Sequence, residues 1–335
     1  MAKTYTVDKS LFKLGNTLGE GMTLTCPHDL SQKPMITNNN VLRDSRSKRL
    51  YFVDIDQKKL YTYEPSSGTI GYEVFDHKIT AIALLEKGGG LIATADGFFA
   101  FIPPSSIPFP PTGSKQSLKR IPTSVTLASN EKRFNDGAVD PKGRFITGTM
   151  GFEHGSKFGK MYALSKGSGD CWEAPLVQEG VTCTNGMGWS KDGKTMYFTD
   201  SWVKEIVTFD YDLSSGKMEN RRVLSNLQDY GEPDGMCQDT DGGIWTCRWQ
   251  AGKVIRLTES GEVDVIIDFP TAWHMTCCIF GGENNDELYV TTAASDYNGE
   301  ILPDRFDGGS LFVVKGLVFT GVERGRFSGS VETLP

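Results

Sequence analysis

Residues 190–200 of the chain, SKDGKTMYFTD, join a tight turn to a β-strand. The turn is predicted at 190–193, because its glycine adopts positive φ easily and its aspartate bonds to the nearby backbone. The strand is predicted at 195–200, where β-branched and aromatic residues predominate. A second strand-like run, EIVTFD, follows at 205–210. The segment therefore predicts a turn and two successive strands of an antiparallel sheet.

The same pattern of turn and strand recurs along the chain. Its strand-like copies lie at 50–54, 91–95, 144–149, 195–200, 243–247 and 288–292. The spacing of roughly 40 to 50 residues is long enough for a four-stranded sheet and is typical of propeller blades. No long helical periodicity interrupts the series. We therefore predict an all-β fold, a single six-bladed β-propeller with four-stranded antiparallel blades over residues 1–335, in preference to a β-sandwich.

The composition is that of a folded protein, and it excludes several partners. The 42 acidic and 35 basic residues give a net charge of −7, which disfavours binding to nucleic acid. No apolar run reaches the length of about 18 residues that a membrane span needs, and the first residues lack the apolar stretch of a signal peptide. Seven cysteines without a C-x-x-C pair predict neither a disulfide framework nor a zinc-thiolate site. We expect a cytoplasmic protein.

Residues with side-chain oxygens precede the apolar starts of several blades. They are Asn135-Asp136-Gly137, Asn185-Gly186, Asp234-Gly235 and, ahead of the first blade, Glu20-Gly21. Taken singly, Asn-Gly and Asp-Gly are mostly turn signals, but here they recur in register. The innermost strands of a propeller line one channel, so these side chains are expected to converge. Carboxylate and amide oxygens without His or Cys are ligands for Ca²⁺, Mg²⁺ or Mn²⁺.

Several motifs in order along the chain resemble the regucalcin (senescence marker protein) and gluconolactonase family. They are RFNDGAVDPKGR at 133–144, GTM at 148–150, TNGMGWS at 184–190, PDGM at 233–236 and FGG at 280–282. The resemblance extends from about residue 18 to about residue 316. It implies a six-bladed propeller that carries one divalent metal ion on the channel axis and hydrolyses sugar lactones.

The resemblance also implies roles for individual residues. Glu20, Asn185 and Asp234 match the metal ligands, and Asp234 also matches the proton-transfer group. Arg133 and Asn135 match positions that contact the hydroxyl groups of the substrate. Glu153 is a looser match for a further substrate-binding carboxylate, the alternative being a solvated loop acid. The resemblance leaves the ion open among Ca²⁺, Zn²⁺, Mn²⁺ and Mg²⁺.

The sequence departs from the family near its start. Glu20 is separated from the strand at 53–55 by about nineteen more residues than the family pattern has, which predicts an insertion at about 22–38. Two readings of the first metal ligand follow. In the first, Glu20 is the ligand, since the motif LGEG at 18–21 is intact. In the second, the alignment with the family pattern shifts and Asn39 is the ligand. We expect Glu20. The insertion forms either a lid over the channel or a surface loop.

The function expected from these observations is a metal-dependent lactonase. It would open a sugar lactone of the gluconolactone type to the sugar acid, with a small-molecule substrate, no nucleic-acid or membrane partner, and a monomeric or weakly dimeric state. Two alternatives stay open, a propeller hydrolase of other esters such as phosphotriesters and a non-enzymatic calcium-binding protein. Trp249 is expected in the core.

Overall fold

A computed structural model describes residues 2–9, 11–13, 40–167 and 171–329, which form six small, mainly antiparallel sheets arranged in a ring. The predicted six-bladed β-propeller is confirmed. The helical segments in these ranges are two single-turn 3-10 helices, Pro104–Ser106 and Gln228–Tyr230. None of the described helices has the length and hydrophobicity needed to cross a bilayer. The predicted insertion at 22–38 lies outside the described residues.

Two short strands and the first two blades occupy the N-terminal part of the chain. The short strands are β1 (Lys3–Thr6) and β2 (Phe12–Lys13). Blade 1 consists of β3 (Val41–Asp44), β4 (Arg49–Asp54), β5 (Lys59–Glu64) and β6 (Thr69–Phe75). Blade 2 consists of β7 (Ile79–Leu84), β8 (Leu91–Ala95) and β9 (Phe98–Ile102). Two more short strands follow, β10 (Lys115–Gln116), which pairs with β6, and β11 (Lys119–Arg120), which pairs with β9 and completes blade 2.

The remaining four blades follow in chain order. Blade 3 contains β12 (Glu131–Val139), β13 (Phe145–Gly151), β14 (Gly159–Lys166), β15 (Trp172–Glu173) and β16 (Leu176–Val181). Blade 4 contains β17 (Thr184–Trp189), β18 (Thr195–Asp200), β19 (Glu205–Tyr211) and β20 (Met218–Ser225). Blade 5 contains β21 (Glu232–Gln238), β22 (Ile244–Trp249), β23 (Lys253–Leu257) and β24 (Val263–Asp268). Blade 6 contains β25 (His274–Gly281), β26 (Glu287–Ala293) and β27 (Ser310–Val314).

The first strand of each blade lies innermost, around a central channel. Each of these strands contacts the first strand of the next blade, and β25 contacts β3, so the ring is closed. The N-terminal segment joins the last two blades, because β2 pairs with β27 as the fourth strand of blade 6 and β1 pairs with β24 in blade 5. These pairings cover the outer strands β27 and β24, which would otherwise be exposed sheet edges.

The six repeated segments of the sequence are the second strands of the six blades. They coincide with β4, β8, β13, β18, β22 and β26. These strands are almost entirely buried, because the sheets stack face to face and cover both sides of each strand. Trp245 of β22 illustrates the contact between blades, since its ring lies 5.6 Å from the ring of Phe280 in blade 6.

The C-terminal strap, defined as residues 317–329, crosses the face of the ring at the far ends of the innermost strands. Val322 N donates to Gln238 O in blade 5, and Phe327 N donates to Leu84 O in blade 2. Phe327 is fully buried. The strap follows residue 316, at about which the resemblance to the family ends.

Candidate active site

Three of the predicted site residues occupy the same position in three neighbouring blades. Asn135 in β12, Asn185 in β17 and Asp234 in β21 each lie where the innermost strand is out of register with the second strand. A β-bulge of this kind bends the strand and redirects a side chain. The sequence signal was therefore correct in position, but these segments are bulged strands and not the turns that Asn-Gly and Asp-Gly indicate when taken singly.

The glycines that follow two of these residues are required by the close approach of adjacent strands. A Cβ atom at Gly186 would lie 2.6 Å from Met236 N in the next blade. A Cβ atom at Gly235 would lie 2.6 Å from Cys277 Sγ. Neither distance allows a side chain, so the glycines let the bulged segments of blades 4, 5 and 6 approach one another around the channel.

Asn185 and Asp234 each have a buried side-chain oxygen atom that accepts no hydrogen bond from the described residues. Asn185 is 4% exposed, and its Nδ2 donates to Ser201 Oγ at 2.7 Å. Its Oδ1 has no hydrogen-bond partner among the described residues, and the same holds for Oδ1 of Asp234, which is 5% exposed. Buried polar atoms are nearly always paired in folded proteins, so two such atoms in one site indicate a place for a ligand or ion.

The carboxyl group of Asp234 lies in a strongly anionic environment. Burial raises its pKa well above the usual range, and the nearby carboxylates of Asp136 and Glu232 raise it further. A cation bound beside Asp234 would act in the opposite direction and favour the ionised form. Among the described residues, the Arg133 guanidinium acts in this direction and partly offsets the rise in the pKa of Asp234.

Arg133 and Asn135 form a hydrogen-bonded pair beside these atoms. Arg133 Nη1 donates to Asn135 Oδ1 and to Phe134 O, and Asn135 Nδ2 donates to Thr184 O at 2.7 Å. The bond to Thr184 joins blade 3 to blade 4. These contacts hold the Arg133 side chain at the cavity, which it lines.

The site opens into a cavity of about 320 Å³ at the mouth of the channel. Its lining includes the predicted residues Arg133, Asn135, Asn185 and Asp234. It also includes residues outside the candidate set, namely Asp56, Lys78, Asp96, Lys132, Met150, Cys183, Ser295, Asp296, Tyr297 and Gly299. Trp249, which was expected in the core, is buried but also lines this cavity.

Cys183 lies within the site beside both asparagines. Its Sγ is 3.6 Å from Asn135 Nδ2 and 3.9 Å from Asn185 Nδ2. Burial raises the pKa of the thiol, and the Asp234 carboxylate raises it further, which disfavours the thiolate that a nucleophile needs. Cys183 directly precedes β17 and forms an isolated bridge to Met150 of β13.

Glu153 is not brought into the cavity lining. It lies in an exposed turn, where its backbone carbonyl accepts hydrogen bonds from Ser156 N and Oγ. The carboxylate found near Asp234 is instead Glu232, which is buried and occupies the same strand two residues earlier. The role predicted for Glu153 stays a prediction.

The first metal-ligand position cannot be compared in the same way, because Glu20 and Asn39 both lie outside the described residues. The adjacent Asn40 is fully buried, and its Nδ2 donates to Asp136 Oδ1 at 2.7 Å. No group of three or more His, Cys, Asp or Glu side chains arranged to hold a metal occurs within the described ranges. Asn185 Oδ1 and Asp234 Oδ1 are described oxygen atoms that suit a hard cation, and Asp136 Oδ2 is a further buried oxygen atom without a hydrogen-bond partner among the described residues.

The chain is similar to known proteins over most of its length. The family model described as SMP-30/Gluconolactonase/LRE-like region matches residues 40–294. Regucalcin from Oryctolagus cuniculus is 32% identical over 293 residues, which cover 85% of this chain and 93% of that protein.

Solved structures show the same architecture. A luciferin-regenerating enzyme superposes with a TM-score of 0.76 at 26% identity and covers 88% of this chain and 95% of its own. A calcium-binding protein, regucalcin from Agrobacterium tumefaciens, superposes with a TM-score of 0.77 over 98% of this chain and 99% of that chain. At 20% identity, the second similarity shows the fold alone.

Proposed function

The chain belongs to the SMP-30/gluconolactonase/LRE-like family, and from this premise we propose that it hydrolyses a lactone with the aid of one divalent cation. The observation that carries the proposal is the pair of buried, unpartnered oxygen atoms, Asn185 Oδ1 and Asp234 Oδ1, at the cavity among the described residues. Family membership supports the lactonase class, and the residues of the cavity support the more detailed mechanism.

Asn185 and Asp234 would hold the cation, with Glu20 or Asn39 as the expected third protein ligand. Amide and carboxylate oxygens suit Ca²⁺, Mg²⁺ and Mn²⁺, and Zn²⁺ also accepts a carboxylate oxygen. When bound, the ion would act as a Lewis acid that polarises the lactone carbonyl and stabilises the oxyanion, a contribution of several kcal/mol.

The protein side chains would perform the remaining steps. Arg133 and Asn135 would orient the lactone by hydrogen bonds, since their mutual bonds fix both side chains at the cavity. Asp234 would accept a proton from the attacking water and return it to the ring oxygen as the acyl–oxygen bond breaks. The hydroxy acid is the single product, because the oxygen of water becomes part of the carboxyl group and the ring oxygen, after receiving the proton, becomes the hydroxyl group.

The proposal is tested by lactone hydrolysis after removal of metal. Protein treated with a chelator should lose turnover of δ-gluconolactone, and addition of Ca²⁺, Zn²⁺, Mn²⁺ or Mg²⁺ singly should restore it with at least one ion. Asp234→Asn should lose turnover by about 100-fold or more, whereas Asp229→Asn, on an exposed turn, should match the wild type. Full activity of the chelated wild type or of Asp234→Asn would refute the mechanism. Hydrolysis of phosphotriesters without hydrolysis of lactones would refute the substrate class.

A further inference from the structure

Two loops join strands next to the cavity, and we call them the first and the second mouth loop. The first, residues 152–158, connects β13 to β14, and Met150 near the end of β13 lines the cavity. The second, residues 294–309, connects β26 to β27 and contributes to the lining Ser295, Asp296, Tyr297 and Gly299. Neither loop contains a strand, so contacts outside the sheets hold each of them in place.

Glu232, the first residue of β21, binds a side chain from each mouth loop. Its Oε2 accepts a hydrogen bond from Tyr297 OH at 2.8 Å, and its Oε1 lies 3.0 Å from His154 Nε2. The Glu232 side chain is 8% exposed, and hydrogen bonds to a carboxylate are stronger than those between neutral groups. The mouth clamp, defined as His154, Glu232 and Tyr297, therefore attaches both loops to the strand that carries Asp234.

Aromatic contacts support the two ring-bearing members of the mouth clamp. The ring of His154 lies 4.8 Å from the ring of Trp202, in the turn between β18 and β19, and 6.0 Å from the ring of Tyr297. Tyr297 also stacks on Trp249 of β22, with ring centroids 4.9 Å apart. The clamp and its neighbours thus connect blades 3, 4, 5 and 6 at the mouth of the channel.

The first mouth loop depends on the clamp for its attachment to the other blades. Ser156 N and Ser156 Oγ donate to Glu153 O, and these bonds stay within the loop. Among the described residues, the hydrogen bond that this loop makes to another part of the chain is the one between His154 and Glu232. Glu153, for which the family resemblance implies a substrate-binding role, directly precedes His154. Loss of the clamp should therefore release the loop and Glu153 with it.

We propose that Glu232 is a positioning residue for substrate binding, which holds the two mouth loops at the cavity through His154 and Tyr297. The inference rests on the proposed lactonase function and adds a determinant of substrate affinity to it. Glu232 is not among the residues that line the cavity, so it acts through the loops. Because the second mouth loop supplies four of the lining residues, its displacement changes the shape of the cavity. The clamp should therefore lower KM and leave the proton transfers at Asp234 unchanged.

Kinetics on δ-gluconolactone test the inference. Tyr297→Phe, which keeps the ring and loses the hydroxyl donor, and His154→Ala should each raise KM about tenfold, the effect of losing one hydrogen bond to a buried carboxylate, with kcat within about twofold of the wild type. His154→Gln supplies an amide N–H donor in place of the imidazole, so it should restore most of the affinity. Phe152→Ala, at a 63% exposed position of the same loop, is the matched control and should keep the wild-type KM. An unchanged KM in either Tyr297→Phe or His154→Ala, or a loss confined to kcat, would overturn the inference.

Limited proteolysis separates the mouth clamp from the lactonase function itself. Trypsin cleaves on the carboxyl side of lysine, and Lys157 lies in the first mouth loop, where cleavage requires local opening. Cleavage after Lys157 should be about tenfold faster in His154→Ala than in the wild type, and His154→Gln should return it to the wild-type rate. Equal rates in His154→Ala and the wild type would overturn the inference. Faster cleavage of His154→Ala, in a protein whose wild type turns over no lactone, would uphold the clamp and refute the hydrolytic function.

Discussion

At the scale of single residues, the sequence predicts those candidate residues that recur at the same position of successive blades. Asn135, Asn185 and Asp234 precede equivalent strand starts, and the structure places all three at equivalent bulges of neighbouring blades. Glu232 and Tyr297 were not predicted, because their contact joins residues 65 positions apart and depends on how the loop after β26 meets the start of β21. No periodicity within the sequence encodes such a pair.

His274 provides a prediction at the same scale. It is 3% exposed, and burial lowers the pKa of its imidazole from 6.5 to about 4. Between these values the unfolded chain binds a proton that the folded chain excludes, so folding stability decreases as the pH decreases. From pH 8 to pH 5 this group should cost about 2 kcal/mol of the free energy of unfolding.

Urea unfolding at pH 8 and pH 5 checks this expectation. His274→Gln should lose the part of the pH dependence that His274 causes. An identical acid-side loss of stability in His274→Gln and wild type would show that this imidazole does not contribute.

At the scale of structural elements, the turn motif before the second strand is the most predictable feature. The aspartates of these turns bond to their own backbone as expected, since Asp239 Oδ1 accepts hydrogen bonds from Asp241 N and Gly243 N. The sequence does not reveal that Asp239 also accepts bonds from Trp245 Nε1 and Arg256 Nε. The turn aspartate therefore also takes part in a buried ion pair, which forms only when the strands of the blade have packed together.

The two kinds of turn aspartate should differ sharply in their contribution to stability. Asp239→Asn should reduce the free energy of unfolding by about 3 kcal/mol, because it leaves the buried Arg256 without one of its two carboxylate partners. Asp192→Asn, in the exposed turn of blade 4, should have a much smaller effect. Chemical denaturation of both variants measures the difference, and equal losses would mean that the turn alone matters.

At the scale of the whole molecule, the number of blades was predictable and the closure of the ring was not. Six turn and strand copies define six blades, but the N-terminal pairing of β2 with β27 involves only two residues, too few for a periodic signal. The C-terminal strap contains hardly any regular structure and bonds to blades through isolated backbone contacts. Arg324 within it is half-buried and donates to Met236 O at 2.6 Å.

The strap should stabilise the ring as a whole. Phe327 is fully buried, packs against residues of blades 2 and 3, and lies 6.1 Å from the ring of Trp172. Phe327→Ala should therefore reduce the free energy of unfolding by about 3 to 5 kcal/mol. Val318→Ala, in the same strap but 74% exposed, should be neutral. If thermal and urea unfolding of Phe327→Ala match the wild type, the strap does not hold the blades together.

The most direct test of the account is calorimetric titration of chelator-treated protein with divalent cations. The wild type should bind one ion of Ca²⁺, Mn²⁺, Mg²⁺ or Zn²⁺ per chain, and both Asn185→Ala and Asp234→Asn should lose that binding while remaining folded. Failure of the wild type to bind any of the four ions, or unchanged binding in both variants, would contradict the claim that side chains from neighbouring blades share one cation at the channel mouth.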